Sequence, residues 1–294
     1  INISDEVSED QAEEIRIRIE AMIQARKGQT HNMVGGTSIR TMIGFTSEDS
    51  FDENNLDQVA IRRMFVPRPG FKLVTFDYSQ MEVRVFIYYC ENKSLLLKMQ
   101  NDKFDFHTEA AKVAFGISED HSQFNFFRQL GKAITFGIIY GIGIKRLAAQ
   151  LNKTEEEARK YKQQYFNNIA GARDLIKKVM NKVEITGYVT NRLGRRYVLE
   201  PDRSYVGVNY LVQGTSADIL SSRMIILDEY LSQVNGKLLI QIHDEVLCEF
   251  PEDSYLEISK NVKDILETND FNIPLIIDIS LCDPSWAHKK KIYL

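Results

Sequence analysis

Apolar and polar positions along the chain follow two different periods. Near the start, Ser8 and Gln11 form a capping box, and Ile15, Ile19, Met22 and Ile23 recur at helical spacing as far as about Lys27. An amphipathic helix is predicted there. Residues 28–57 lose that period and carry Gly35-Gly36 and Gly44 among many Ser, Thr, Asn and Asp, which predicts a loop-rich segment. Phe71 to Phe76, set off by Pro67 and Pro69-Gly70, is mostly apolar and rich in β-formers, as a buried strand should be, and stops at Asp77. Helical spacing then returns at about 80–100, 105–115, 122–140, 154–168 and 172–185, the last with Leu175, Ile176, Val179, Met180 and Val183 on one face. Leu220, Met224, Leu227 and Leu231 make a further helical stripe from Asp218 to Leu231. Two β-rich runs, Lys237–Ile242 and Val246–Phe250, flank His243-Asp244-Glu245 and predict a hairpin, followed by a helix at 255–268 and a strand from Leu275 to Leu281.

Composition changes little in this picture. The chain has 294 residues, 44% hydrophobic and 27% charged, which fits a globular protein with a sizeable core, read as two lobes. Its 37 Lys and Arg against 41 Asp and Glu give a net charge of -4, so a nucleic-acid site would have to be a local basic stripe. Cys90, Cys248 and Cys282 are far apart and lack C-x-x-C spacing, which suggests neither disulfides nor zinc and fits a reducing, intracellular compartment: cytoplasm, host cytoplasm for a virus, or an organelle. No apolar run is long enough for a membrane span, and Ile1 followed by acidic residues does not read as a signal peptide. The absence of an initiator Met is expected of a fragment or a processed chain.

Two constellations carry candidate chemistry. Asp77 ends one apolar strand, and Asp244 with Glu245 sits at the tip of a hairpin of similar strands. If those strands are neighbours, the carboxylates converge, and like charges held together need a cation. Hard ions such as Mg²⁺ accept that arrangement and take waters and phosphates as their other ligands. A solvated turn beside an unrelated strand-terminal Asp is the bland alternative. The second constellation is Arg128, Lys132, Phe136 and Tyr140, whose four-residue spacing places two cations and two rings on one winding helical stripe. That stripe suits a nucleoside triphosphate, or else its rings enter the core while its cations face solvent.

Taken together, the motifs resemble those of the bacterial DNA polymerase I family (family A). Asp77-Tyr78-Ser79-Gln80-Met81-Glu82-Val83-Arg84 is similar to its motif A, Arg128 to Gly141 to motif B, and Gln241-Ile242-His243-Asp244-Glu245-Val246 to motif C. Asp105-Phe106-His107, Gly187-Tyr188-Val189, Gly194-Arg195-Arg196 and the N-x-x-x-Q-G-T-x-A-D run from Asn209 to Asp218 extend the match over about Ile61 to Trp286. The resemblance implies an α+β, right-hand polymerase: an antiparallel-sheet palm (61–91 and 206–294), an inserted, mainly helical fingers subdomain (92–205) and a truncated thumb. Residues 1–60 would be a thumb remnant and the approach to the palm.

It also implies roles. Asp77, Asp244 and the Tyr78 main-chain carbonyl would hold two Mg²⁺ ions, for which Mn²⁺ could substitute, with Glu245 assisting. Lys132 would neutralise the triphosphate and protonate the leaving pyrophosphate, and Arg128 and His107 would hold its outer phosphates. Gln80, Tyr78, Phe136 and Tyr140 count among the nucleotide contacts. Glu82 would exclude a ribose 2′-hydroxyl by its bulk and by engaging Tyr140, so deoxynucleoside triphosphates are the implied substrates; Phe136 in place of Tyr implies poor use of dideoxynucleotides. Template-primer DNA would meet Asn209, Gln213, His243, Arg84 and Arg195, although Asn209 has an alternative reading as a helix cap.

Some segments depart from the family pattern. Ser204-Tyr205, with Arg203 nearby, stands where a Glu-Arg pair is usual. The T-G-R-x-S-S and N-L-Q segments are only echoed by residues 43–47 and 55–58, with Arg40 a candidate for the missing Arg. The short stretch before Gly28 leads to an expectation of weak processivity, no proofreading by this chain, and a missing thumb or exonuclease segment or replication partner. Two rival readings are a single-subunit RNA polymerase or reverse transcriptase, and a silent module that only binds primer-template.

Overall fold

A computed structural model describes residues 62–101, 104–268 and 271–294. The expected N-terminal helix, the loop-rich segment to Asp57 and Arg40 lie outside these residues. The described chain forms two compact units, one of 62–77, Ile226–Ile265 and Ile277–Leu294, the other of Tyr78–Ile225 and Leu266–Ile276.

The first unit is built on a five-stranded sheet. Its strands are β1 (Phe71–Tyr78, whose last residue opens the second unit), β4 (Lys237–Ile242), β5 (Glu245–Pro251), β6 (Ile277–Cys282) and β7 (Lys289–Ile292), in the order β4-β5-β1-β6-β7. β1 is central and pairs antiparallel with β5 from Phe71 opposite Pro251 to Asp77 opposite Glu245. Alternation then sends Leu73 and Leu247 to one face, where they pack with Ile242, Cys282 and Trp286, and Phe76 and Phe250 to the other, their rings 6.0 Å apart. Gly236 sits in a tight space: a Cβ there would lie 2.9 Å from a Leu231 methyl and 3.2 Å from the Phe250 ring, so those side chains would have to shift.

The sequence pattern finds β1, β4 and β5 within two residues, but not β7. Lys289-Lys290-Lys291 reads as polar chain because β7 is an edge strand whose side chains are largely exposed, and lysines there discourage pairing with another molecule. The expected strand from Leu275 begins two residues later, at Ile277.

The second unit is mainly helical. It contains α1 (Met81–Tyr89), α2 (Lys93–Lys98), α3 (Phe106–Phe115), α4 (Phe124–Ile139), α5 (Ile144–Leu151), α6 (Glu155–Asn168) and α7 (Ala172–Thr186). A two-stranded hairpin, β2 (Tyr188–Thr190) and β3 (Arg196–Val198), and a 3₁₀ turn at Pro201–Val206 lead into α8 (Gly207–Gln233), whose residues from Ile226 belong to the first unit. α9 (Tyr255–Glu267) belongs to the first unit as far as Ile265.

The helix expected over 80–100 is broken in two. Glu91 takes a φ of 56°, and the Asn92 side chain accepts the Leu95 N–H at 3.1 Å, restarting the helix with a cap. Gly171, at φ 85°, lies so close to the Cys90 carbonyl that a Cβ there would collide with it. α3 and α4 approach closely at Gly131, where a Cβ would stand 3.0 Å from the Ala111 backbone nitrogen. α5 was not expected; Leu147, Ala148 and Leu151 bury one face of a helix too short to register as a period.

Arg84 is the largest correction to the expected contacts. It was expected to meet DNA, yet it is 1% exposed on α1. Its Nε donates to the Ser79 carbonyl at 2.7 Å, and its Nη1 to the carbonyls of Met99 at 2.5 Å and Pro274 at 2.7 Å. It therefore fastens the turn after β1 to α2's end and to the 266–276 segment. Replacing it with Met leaves buried acceptors unsatisfied, so urea unfolding of Arg84→Met is expected to show a loss of about 3 kcal/mol.

Candidate active site

The carboxylates gather because of strand register. Asp77 and Glu245 face each other across β1 and β5, so their side chains leave the same face of the sheet, and Asp244 immediately precedes Glu245. His243 and Asp244 form a two-residue turn between Ile242 and Glu245, which are themselves paired. His243 carries a φ of 52°, a left-handed conformation that costs a non-glycine residue about 1 kcal/mol and is found where a tight turn is over-determined by its flanks. His243 is exposed, and Asp77 and Asp244 are half-buried.

Glu245 is held differently from its neighbours. Its Oε1 accepts the indole N–H of Trp286 at 3.1 Å, and its Oε2 meets Lys289 Nζ at 2.5 Å. Among the described residues no group of three or more His, Cys, Asp or Glu side chains forms a ready metal cage. Two aspartates and a main-chain carbonyl supply only hard oxygen donors, which fits a Mg²⁺-type ion that completes its shell with water and phosphate.

In the second unit, α3 and α4 build a continuous polar and aromatic ladder. Asp105 caps α3 by accepting the N–H groups of His107 at 2.7 Å and Thr108 at 3.0 Å. Its other oxygen takes Arg128 Nε at 3.0 Å and Nη2 at 2.5 Å. Burial pushes the Asp105 carboxyl up, but the Arg128 and Thr108 hydrogen bonds and the nearby Arg128 and His107 charges prevail, holding it below the ordinary range. The His107 ring lies 5.7 Å from Phe136, and Phe136 5.7 Å from Tyr140. Tyr140, the residue after α4's last turn, donates its hydroxyl to Glu82 Oε2 at 2.8 Å, and Gln213 donates to Glu82 Oε1 at 3.4 Å. Lys132 stands on the same helix, one turn from both Arg128 and Phe136, and is half-buried.

Comparison with known proteins gives this arrangement its context. The family model described as DNA polymerase family A matches residues 17–288. The chain belongs to DNA polymerase family A. It is 28% identical over 289 residues to the thermostable DNA polymerase I of Thermus aquaticus, covering 92% of this chain and 34% of that protein. It is 33% identical over 245 residues to DNA polymerase I of Geobacillus stearothermophilus, covering 78% and 28%. Among solved structures, the POL domain of Pol1 from M. smegmatis, in complex with DNA primer-template and dNTP, superposes with a TM-score of 0.73 at 28% identity, over 82% of this chain and 44% of that one. The chain thus spans about a third of the length of the curated family A relatives it matches.

Within this family A chain, the structure sorts the expected site residues. It brings Asp77 and Glu245 together beside Asp244, and it joins Gln80, Glu82, His107, Arg128, Phe136, Tyr140 and Gln213 through the α1, α3, α4 and α8 contacts; Gln80 Oε1 accepts the Phe106 N–H at 3.0 Å. The Tyr78 side chain is occupied in the core: its hydroxyl donates to the Leu266 carbonyl at 2.6 Å, and burial pushes its pKa up. Arg195 is exposed and grips Asp218 through Nε at 2.9 Å and Nη2 at 2.6 Å, while Asn191 donates to the same carboxylate at 2.7 Å. The Asn209 Oδ1 is buried without a hydrogen-bond partner, a poor match for a helix-capping role.

Sequence reasoning missed the supporting residues Asp105 as an Arg128 anchor, Asp218, Trp286 and Lys289. Asp105 opens the helix expected over 105–115, but its pairing with a residue 23 positions on has no local signal. The depressed Asp105 pKa sets a pH dependence. A lowered folded-state pKa gives stability that is present above the unfolded value and lost as pH falls through the folded one. The unfolding free-energy difference between the native chain and Asp105→Asn should therefore be full at pH 7 and shrink below about pH 4.

Proposed function

We propose that this chain carries out template-directed addition of deoxynucleotides to a primer 3′-hydroxyl, releasing pyrophosphate. The observation that carries this reading is the Asp77–Glu245 register beside the Asp244 turn, in a chain of DNA polymerase family A. The similar M. smegmatis domain was solved with primer-template and dNTP, which supports DNA and a nucleotide as partners here. In this reading the five-stranded sheet is the palm and α3 to α7 belong to the fingers, with subdomain limits of 61–91 and 206–294 against 92–205.

Asp77, Asp244 and the Tyr78 carbonyl would hold divalent metal, Mg²⁺ or Mn²⁺, which when bound supplies charge neutralisation at the α-phosphate and activation of the attacking hydroxyl. The chain's own residues supply positioning. Arg128 and His107, fixed by Asp105, bind the outer phosphates, and Lys132 neutralises the triphosphate and delivers a proton from Nζ to the departing pyrophosphate oxygen. Phe136 and Tyr140 bound the base and sugar. Glu82, fixed by Tyr140 and Gln213, presents bulk and negative charge where a ribose 2′-hydroxyl would enter. His243, Gln213, Asn209 and Arg195 meet the template-primer. Burial pushes the three cysteine thiols up, Cys282 to about 12, which keeps them unreactive and suits a reducing compartment.

Extension of a labelled primer with Mg²⁺ tests this. Deoxynucleotides should extend it and ribonucleotides should not. Asp244→Ala should lose on the order of a thousandfold in rate while DNA binding is retained. Tight binding with no extension by the native chain would favour a silent binding module instead.

A further inference from the structure

Like charges directly opposite on paired strands repel, and Asp77 and Glu245 occupy such a pair, with Asp244 adjacent. The C-terminal segment supplies what offsets it. Lys289 opens β7 opposite Cys282 and reaches Glu245 Oε2 at 2.5 Å, its side chain 28% and that of Glu245 12% exposed. A pair this shielded interacts more strongly than a surface bridge.

Trp286 takes the other oxygen, and it is itself fixed on every side. Its main-chain N–H donates to the Phe65 carbonyl at 2.9 Å, its ring meets Phe65 edge-on at 5.3 Å, Arg62 lies 5.3 Å over its centre, and it is 1% exposed. The turn joining β6 to β7 is closed by Asp283 N–H to the His288 carbonyl at 3.1 Å and by Ser285 with His288 Nδ1 at 2.9 Å. Both Glu245 oxygens thus end on side chains of the hydrogen-bonded segment from β6 to β7.

We propose that Lys289 and Trp286 are positioning residues, which clamp Glu245 as a fixed post and thereby hold the His243–Asp244 turn in place beside Asp77. Glu245 then serves the reaction through geometry. Its carboxylate is spent on the clamp. The left-handed His243 is consistent with this role, since a strained turn persists only when its flanks are pinned. This inference rests on the polymerase reading for its kinetic consequence but not for its structural one.

The test therefore uses two readouts on the full chain. By hydrogen exchange, amides of Gln241–Val246 should exchange about tenfold faster in Lys289→Met and at the native rate in Lys289→Arg. In single-nucleotide incorporation, Lys289→Met should lower kcat about tenfold with the nucleotide KM within about twofold of native, and Lys289→Arg should restore it. Glu245→Ala combined with Lys289→Met should be no slower than Glu245→Ala alone, because Lys289 acts through Glu245. Unchanged exchange in Lys289→Met, or a double variant slowed by the product of the two single effects, overturns the proposal. If the native chain extends no primer but the exchange result holds, the clamp stands and the polymerase reading falls.

Discussion

Antiparallel pairing of β1 with β5 sets the terms for the acidic site. Because side chains alternate with a period of two, a slip of one residue would send Leu73 and Leu247 away from Trp286 and Asp77 away from Glu245. The apolar face thus enforces the register, and the register places the carboxylates. Burial of Leu73, Val74, Phe76, Val246, Leu247 and Phe250, each at most 1% exposed, is what makes the repulsion between Asp77 and Glu245 tolerable. Local cations complete the balance: Lys289 on Glu245, with Arg62 stacked on Trp286 nearby.

The second unit solves a different problem, the fixing of long, mobile side chains. Arg128 is tied to the cap of α3, and Tyr140 to Glu82, so the two ends of the α4 stripe are anchored to other helices. Between them His107 and Phe136 stack in series. An anchored guanidinium loses less entropy on meeting a phosphate, since part of its ordering is already complete.

Much of this was legible in the sequence because it is encoded locally. The apolar run before Asp77, the turn at His243-Asp244 and the four-residue spacing of Arg128, Lys132, Phe136 and Tyr140 each fall within one element. Glu82 with Tyr140 was legible only through the family resemblance. Arg84 misled because a cation in motif A reads as a surface group, whereas here three main-chain carbonyls compensate its burial. Lys289 and Trp286 were invisible for a complementary reason: their partner lies more than 40 residues away, and a run of three lysines carries no β pattern. Asp218, which holds both Asn191 and Arg195 across more than 20 residues, escaped in the same way.

The proposed reaction requires Asp77 and Asp244 to form one divalent-metal site. Titration of Mn²⁺ into the chain with primer-template and nucleotide, followed by electron paramagnetic resonance, measures that directly. Tight binding by the native chain, lost in both Asp77→Asn and Asp244→Asn, is the expected result. Native-like binding in either variant would contradict it.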